Sequence, residues 1–210
     1  MNIRDHAPKV FVVDDDDAVC NSLALLIKSL GIPVITHSSA VDFLAQYDPE
    51  QHGCIILDVR MPGMSGLELQ DELNLRGAII PIIFITGHGD VPMAVEAMQH
   101  GAADFLQKPF SDRELTGRIH RALATDLSNR ARLGEKDRIR AQLVALTPRE
   151  KEVLRLVTLG KVNKVIASEL GISQRTVEIH RAHLMEKMGA TSLAQLVRMT
   201  MMVDMGISTY

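Results

Sequence analysis

Lys9-Val10-Phe11-Val12-Val13-Asp14-Asp15-Asp16-Asp17 sets an unbroken apolar run against four consecutive carboxylates. Alternation of apolar and polar residues would leave one strand face wet, whereas a continuous β-branched and aromatic run reads as a strand buried on both faces. Runs of the same kind recur at Pro33 to His37, Cys54 to Leu57, Ile79 to Ile85 and Ala103 to Leu106. Between them Val19, Leu23, Leu26, Ile27 and Leu30 fall at helical spacing, and further helices are expected near Ala40 to Gln46, Gly66 to Leu75 and Pro92 to His100. Ser65-Gly66-Leu67-Glu68 and Ser111-Asp112-Arg113-Glu114 have the capping-box form that opens a helix, while Gly31, Gly77 and Gly101 stand where one would stop. Strand and helix in alternation predict an α/β unit with a five-stranded parallel sheet covered on both faces. Ligands of such folds sit at the carboxyl ends of the strands.

The chain has 210 residues, room for one large domain or two small ones. A hydrophobic fraction of 46% with a net charge of −3 excludes a disordered, collagenous or strongly basic chain. The longest apolar run, Ala78 to Ile85, is interrupted by Pro81 and falls far short of the roughly eighteen residues of a membrane span. With no signal-peptide pattern either, a cytoplasmic protein without membrane contact is expected. Cys20 and Cys54 lack metal or disulfide spacing and read as small buried hydrophobes. Residues 1–127 hold 9 Lys/Arg against 18 Asp/Glu, and residues 128–210 hold 14 against 8. An acidic half suits a cation and a basic half suits nucleic acid, which motivates a two-domain reading.

Strand patterns end at Ser111. A first domain at 1–125 is expected to run into a helical linker at 126–145, with Gly134 as its one break. Thr147-Pro148-Arg149-Glu150 is a capping box with proline at the first helical position, opening an all-α domain at 146–210. Its helices are expected at about 148–158, 163–170, 174–188 and 192–203.

Asp14 and Asp15 follow the first strand and Asp58 the third. If those strands are neighbours, three carboxylates converge on one sheet edge and favour a hard cation such as Mg²⁺. Thr86 ends the fourth strand and Lys108 the fifth, completing a set suited to phosphoryl transfer onto a carboxylate, with Asp58 as nucleophile. Asp16 and Asp17 are accounted for by a helix N-terminus. Val12-Val13-Asp14-Asp15-Asp16, Leu57-Asp58-Val59-Arg60-Met61-Pro62-Gly63-Met64-Ser65-Gly66, Ile85-Thr86-Gly87-His88 and Lys108-Pro109-Phe110 resemble the receiver domain of two-component response regulators, over about residues 8–125. The resemblance implies a flavodoxin-like fold, Asp58 as phosphoacceptor, and Asp14, Asp15, Asp58 and the Arg60 backbone carbonyl as Mg²⁺ ligands. It also implies Thr86 and Lys108 as the phosphate-sensing pair, Phe105 as switch aromatic, a cis Lys108–Pro109 bond and a sensor histidine kinase as partner.

In the basic half, Glu169-Leu170-Gly171-Ile172-Ser173-Gln174-Arg175-Thr176-Val177 reads as helix, glycine turn and a second helix capped by Ser173, the punctuation of a helix-turn-helix. Val177, Leu184 and Met188 share one face of that second helix; Arg175, Glu178, Ile179, Ala182 and Glu186 lie opposite. An isoleucine facing away from the core is what contact with a thymine methyl needs. Arg175 and Thr176 are placed to reach base edges or phosphate, with Lys164, His180 and Lys187 as flanking phosphate contacts. These features alone also suit a small helical interaction domain. Leu193, Leu196, Val197, Thr200 and Met201 line one side of the last helix, expected to close the domain and form a dimer contact. Leu146-Thr147-Pro148-Arg149-Glu150, Asn163-Lys164-Val165-Ile166-Ala167 and Arg175-Thr176-Val177-Glu178-Ile179-His180-Arg181 resemble the LuxR-type DNA-binding domain over about 143–203. That resemblance adds Asn163 to the DNA contacts. Receiver plus this output is similar to FixJ-like transcription regulators, which implies phosphorylation-promoted homodimerisation through about 91–107 and promoter DNA as partner. The competing class is a metal-dependent phosphotransferase or phosphatase with an aspartyl-phosphate intermediate, which leaves the basic helices without a task.

Overall fold

The computed structural model describes residues 7–87 and 91–203, so His88 lies outside the described residues. The chain divides into two compact units, residues 1–130 and 131–210. The first holds β1 (Lys9–Val13), α1 (Asp17–Ser29), β2 (Val34–His37), α2 (Ala40–Gln46), β3 (Gly53–Asp58), α3 (Gly66–Leu75), β4 (Ile82–Thr86), α4 (Val91–Gln99) and β5 (Asp104–Gln107). Helix α5 (Asp112–Val144) begins in this unit and ends in the second, which continues with α6 (Pro148–Thr158), α7 (Asn163–Leu170), α8 (Gln174–Met188) and α9 (Leu193–Met202). Among the described residues no helix is long and apolar enough to cross a membrane.

All strand pairings are parallel, in the order β2-β1-β3-β4-β5. Successive side chains of a strand point to opposite sheet faces, so an unbroken apolar run feeds two cores at once. Phe11 and Val13 enter one layer with Phe43, Leu57, Leu69 and Phe84. Val10 and Val12 enter the other with Ile27, Ile56, Ile83 and Ile119. Cys54 lies in that second layer, where burial pushes its thiol up to about 12 and leaves it inert. Strand β4 starts at Ile82 instead of Ile79, because Pro81 has no N–H to give the ladder.

One expectation about the segment after the sheet needs correction. Gly134 does not break the helix: α5 runs through it, since a glycine in a helix interior costs only about 1 kcal/mol and Arg132, Leu133, Glu135 and Lys136 around it are good helix formers. Residues 126–144 continue α5, and each end of this stretch is tied to its own unit. Asp126, 1% exposed, accepts from the Gly53 amide at 3.0 Å and from Arg130 Nε at 2.9 Å, and Arg130 Nη1 donates to the Pro49 carbonyl at 2.9 Å. At the far end Ile139 and Leu143 are buried in the core of the second unit with Val153, Ile166, Val177 and Leu196.

In that second unit, Thr147 accepts from the Glu150 amide while Glu150 Oε2 accepts from the Thr147 amide, the reciprocal cap expected of Thr-Pro-Arg-Glu. The same Glu150 oxygen accepts from Lys187 Nζ at 2.8 Å. Gly171, at φ 64°, makes the left-handed turn between α7 and α8, a conformation that penalises a β-carbon. Helix α9 divides its apolar residues in two: Leu196 and Met199 are buried, with Thr200 beside them, whereas Leu193 and Met201 face out.

The Lys187 hydrogen bond, then the Thr147 amide, hold the Glu150 carboxyl down to about 2, from an ordinary 4.5. A lowered folded-state value contributes stability that is complete above about pH 4.5 and lost as pH falls toward 2. The difference in melting temperature between the full chain and its Glu150→Gln variant is therefore expected to be largest at neutral pH and to shrink between pH 4.5 and 2; a difference independent of pH would remove the carboxylate from this role.

Candidate functional site

Parallel pairing brings Val13 beside Leu57 and Asp58 beside Ile85, so the carboxyl ends of β1, β3 and β4 form one edge. Lys108, one residue past β5, is fastened there by its amide donating to the Thr86 carbonyl at 2.7 Å, and its bond to Pro109 is cis. Lys108 Nζ lies 3.2 Å from Asp14 Oδ2 and 3.2 Å from Asp58 Oδ1. The other oxygens are also held: Asp14 Oδ1 accepts from the Asp16 amide at 2.9 Å, and Asp58 Oδ2 from the Arg60 amide at 2.7 Å. Thr86 is buried at the end of β4, and Phe105, paired with Phe84 in register, packs half-buried against the apolar layer containing Phe84.

Burial raises the Asp58 carboxyl above its usual range, and the charge of Asp14 adds to this; the Arg60 amide and Lys108 pull the other way without cancelling it. Burial alone would lower Lys108, but attraction to Asp14 and Asp58 raises it on balance. Two acids against one cation leave the edge with surplus negative charge. Of the three acids expected here, Asp14 and Asp58 bracket the ammonium, and Asp15, next to Asp14 in the chain, is exposed. Among the described residues no three acidic, histidine or cysteine side chains stand close enough to hold a metal ion by themselves. Carboxylate oxygens plus one backbone carbonyl with surplus charge are still a donor set that fits Mg²⁺, which keeps several of its waters when bound.

Sequence reasoning read Gly66 only as part of a cap. A β-carbon there would stand 2.2 Å from the Asp58 carbonyl oxygen and 3.1 Å from the Phe84 ring. Its amide donates to the Val59 carbonyl at 3.0 Å, so the bare start of α3 closes directly on the strand end that carries Asp58.

On α8, Val177, Leu184 and Met188 are buried, and the opposite face exposes Arg175, Glu178, Ile179, Ala182 and Glu186. Ile179 is 44% exposed, and Arg175 Nη1 lies 3.1 Å from Glu178 Oε2. Lys164 is exposed and His180 half-buried. Three expected contacts turn out to have partners within the unit. Lys187 is held by buried Glu150, Asn163 Oδ1 accepts from Arg181 Nη1 at 2.8 Å, and the Thr176 hydroxyl is 2.8 Å from Ser173 Oγ. Lys187, still 38% exposed at its side chain, thereby also serves the α6 cap, where the buried Glu150 carboxylate takes its charge. His183, absent from the sequence reading, is exposed four residues after Ile179 and shares its face; the helical spacing would have found it.

Residues 10–120 match the family model described as response regulator receiver domain, and residues 144–200 match bacterial regulatory proteins, luxR family. The chain is 49% identical to the transcriptional regulatory protein FixJ of Azorhizobium caulinodans over 92% of both chains. It is 46% identical to nodulation protein W of Bradyrhizobium diazoefficiens over 91% of this chain and 84% of that one. Among solved structures, the response regulator StyR aligns with a TM-score of 0.81 at 46% identity, over 93% of this chain and 98% of that chain. Full-length FixJ from B. japonicum aligns at 0.57 with 40% identity, over 95% and 98%.

Proposed function

The chain belongs to the response regulators that join a receiver domain to a LuxR-family DNA-binding domain, and from that membership we propose that phosphorylation of Asp58 controls its hold on promoter DNA. The observation that carries this reading is the Asp14–Lys108–Asp58 bridge, a nucleophilic carboxylate beside a fixed ammonium at the ligand-binding edge of the sheet. An Asp58 oxygen attacks the phosphorus of a histidine kinase's phosphohistidine; the new O–P bond replaces the P–N bond, and the imidazole leaves. Asp14, Asp15, Asp58 and the Arg60 carbonyl would hold Mg²⁺, which supplies charge neutralisation to the phosphoryl oxygens when bound. Lys108 binds one of those oxygens and the Thr86 hydroxyl donates to another. Slow hydrolysis of the acyl phosphate resets the site without making the protein an enzyme for an external substrate.

Movement of Thr86 toward the phosphoryl group opens space for Phe105 to turn inward and biases the α4–β5 face toward pairing with a second copy. Val95 and Met98, exposed three residues apart on α4, support that face as the contact. Moving a two-state equilibrium from 1:99 to 99:1 takes about 5.5 kcal/mol of differential binding. In the dimer, α8 enters the major groove of each half-site, with Ile179 on a thymine methyl, Arg175, Thr176, Glu178 and Ala182 around it, and Asn163, Lys164 and His180 toward phosphate. A regulator of promoters works beside the chromosome, in the cytoplasm. The phosphotransferase alternative gives α6 to α9 no role.

Asp58→Asn is expected to abolish hydroxylamine-labile labelling by a small phosphodonor with Mg²⁺; equal labelling of the variant would move the acceptor elsewhere. Beryllofluoride should raise the dimer fraction in sedimentation, and an unchanged monomer–dimer equilibrium would sink the switch through Thr86 and Phe105. Ile179→Ala should lose roughly 1 to 3 kcal/mol at the cognate site and little on unrelated duplex. Equal losses on both would place Ile179 off the bases.

A further inference from the structure

The outward face of α8 carries an acid where a phosphate polymer would be met. Arg181 is bonded to Asn163 and Lys187 to Glu150, so two of the cations on α8 serve the fold of the unit. Arg175, the cation beside Ile179 on the exposed face, is itself paired with Glu178. Glu178 side chain is 49% exposed, one residue before Ile179 and one turn after Arg175. A carboxylate brought into a groove walled by phosphates loses water and is repelled. It is tolerated there when a base donor replaces the water, and a lone acid without such a donor would oppose binding at every sequence.

We infer that Glu178 accepts a hydrogen bond from a cytosine amino group, so that each half-site holds a C·G pair next to the base pair met by Ile179; this rests on the reading that α8 enters the major groove. Two bases offer an amino donor in that groove, cytosine through N4 and adenine through N6. Adenine sets its N7 acceptor beside N6, which repels the second oxygen of a carboxylate. Cytosine sets a C–H beside N4. Arg175 Nη1 lies 3.1 Å from Oε2, leaving Oε1 as the acceptor offered to a base. One acceptor facing one donor matches cytosine, while an amide in the same place, with a donor and an acceptor side by side, matches adenine.

The test is selection from a randomised duplex library by the full chain with Mg²⁺ and beryllofluoride, as wild type, Glu178→Gln, Glu178→Ala and Ile179→Ala. Wild type is expected to fix cytosine at one position of each half-site. Glu178→Gln should move that position to adenine with a change in preference of about 5- to 150-fold, and Glu178→Ala should level all four bases there, other positions holding. If both Glu178 variants select the same base as wild type at every position, Glu178 reads nothing and the inference falls, while lost selectivity in Ile179→Ala would keep α8 as the reading helix. If wild type itself selects no sequence, the placement of α8 in the groove fails first.

Discussion

Two carboxylates sharing one ammonium at a half-buried edge is the constraint around which the first unit is organised. Asp14, Asp58 and Lys108 are far apart in the chain, and they meet because β1 pairs with β3 and β3 with β4, with β5 laid beside β4. No flexible loop would hold two like charges this close. A parallel sheet does so because each strand is buried on both faces, and the apolar layers beneath, with Ile56, Leu57, Phe84 and Ile85 almost wholly inaccessible, resist any sideways slip that would relieve the repulsion. The surplus negative charge is thus stored against a stiff support, and whatever neutralises it acts on that support as a whole.

The second unit solves a related problem with opposite charge. A basic helical unit must show cations to a polyanion and still be stitched together, and here the two tasks fall to different residues. Arg181 and Lys187 close hydrogen bonds inside the unit, with Glu150 linking the start of α6 to the end of α8, while Lys164 and Arg175 remain on the outer surface. Residue type does not distinguish these groups; the partner on a neighbouring helix does.

This separates what was legible in the sequence from what was not. Unbroken apolar runs, capping boxes and the residues at strand ends are local signals, and the strand order follows once they are recognised as a sheet covered on both sides. Strand limits shifted by a residue at β3 and β5, and by three at β4, where Pro81 intervenes. What stays hidden depends on partners distant in sequence. The Glu150 partner of Lys187 is 37 residues away, and the role of Gly66 against the Asp58 carbonyl is invisible until β3 and α3 are packed. Gly134 was misread by treating a modest propensity as a rule. His183 was within reach of the wheel that placed Ile179.

Asp126 and Arg130 bear on how such proteins are assembled over evolutionary time. Because they bind the Gly53 amide and the Pro49 carbonyl, the residues of α5 up to Arg130 and those after it are not equivalent ground for recombination. A gene fusion that replaced the output half by joining new sequence before residue 126 would strand those backbone groups without partners. A junction after Arg130 would leave the receiver's hydrogen bonding complete, so the modular seam lies inside a helix and not in a loop between domains.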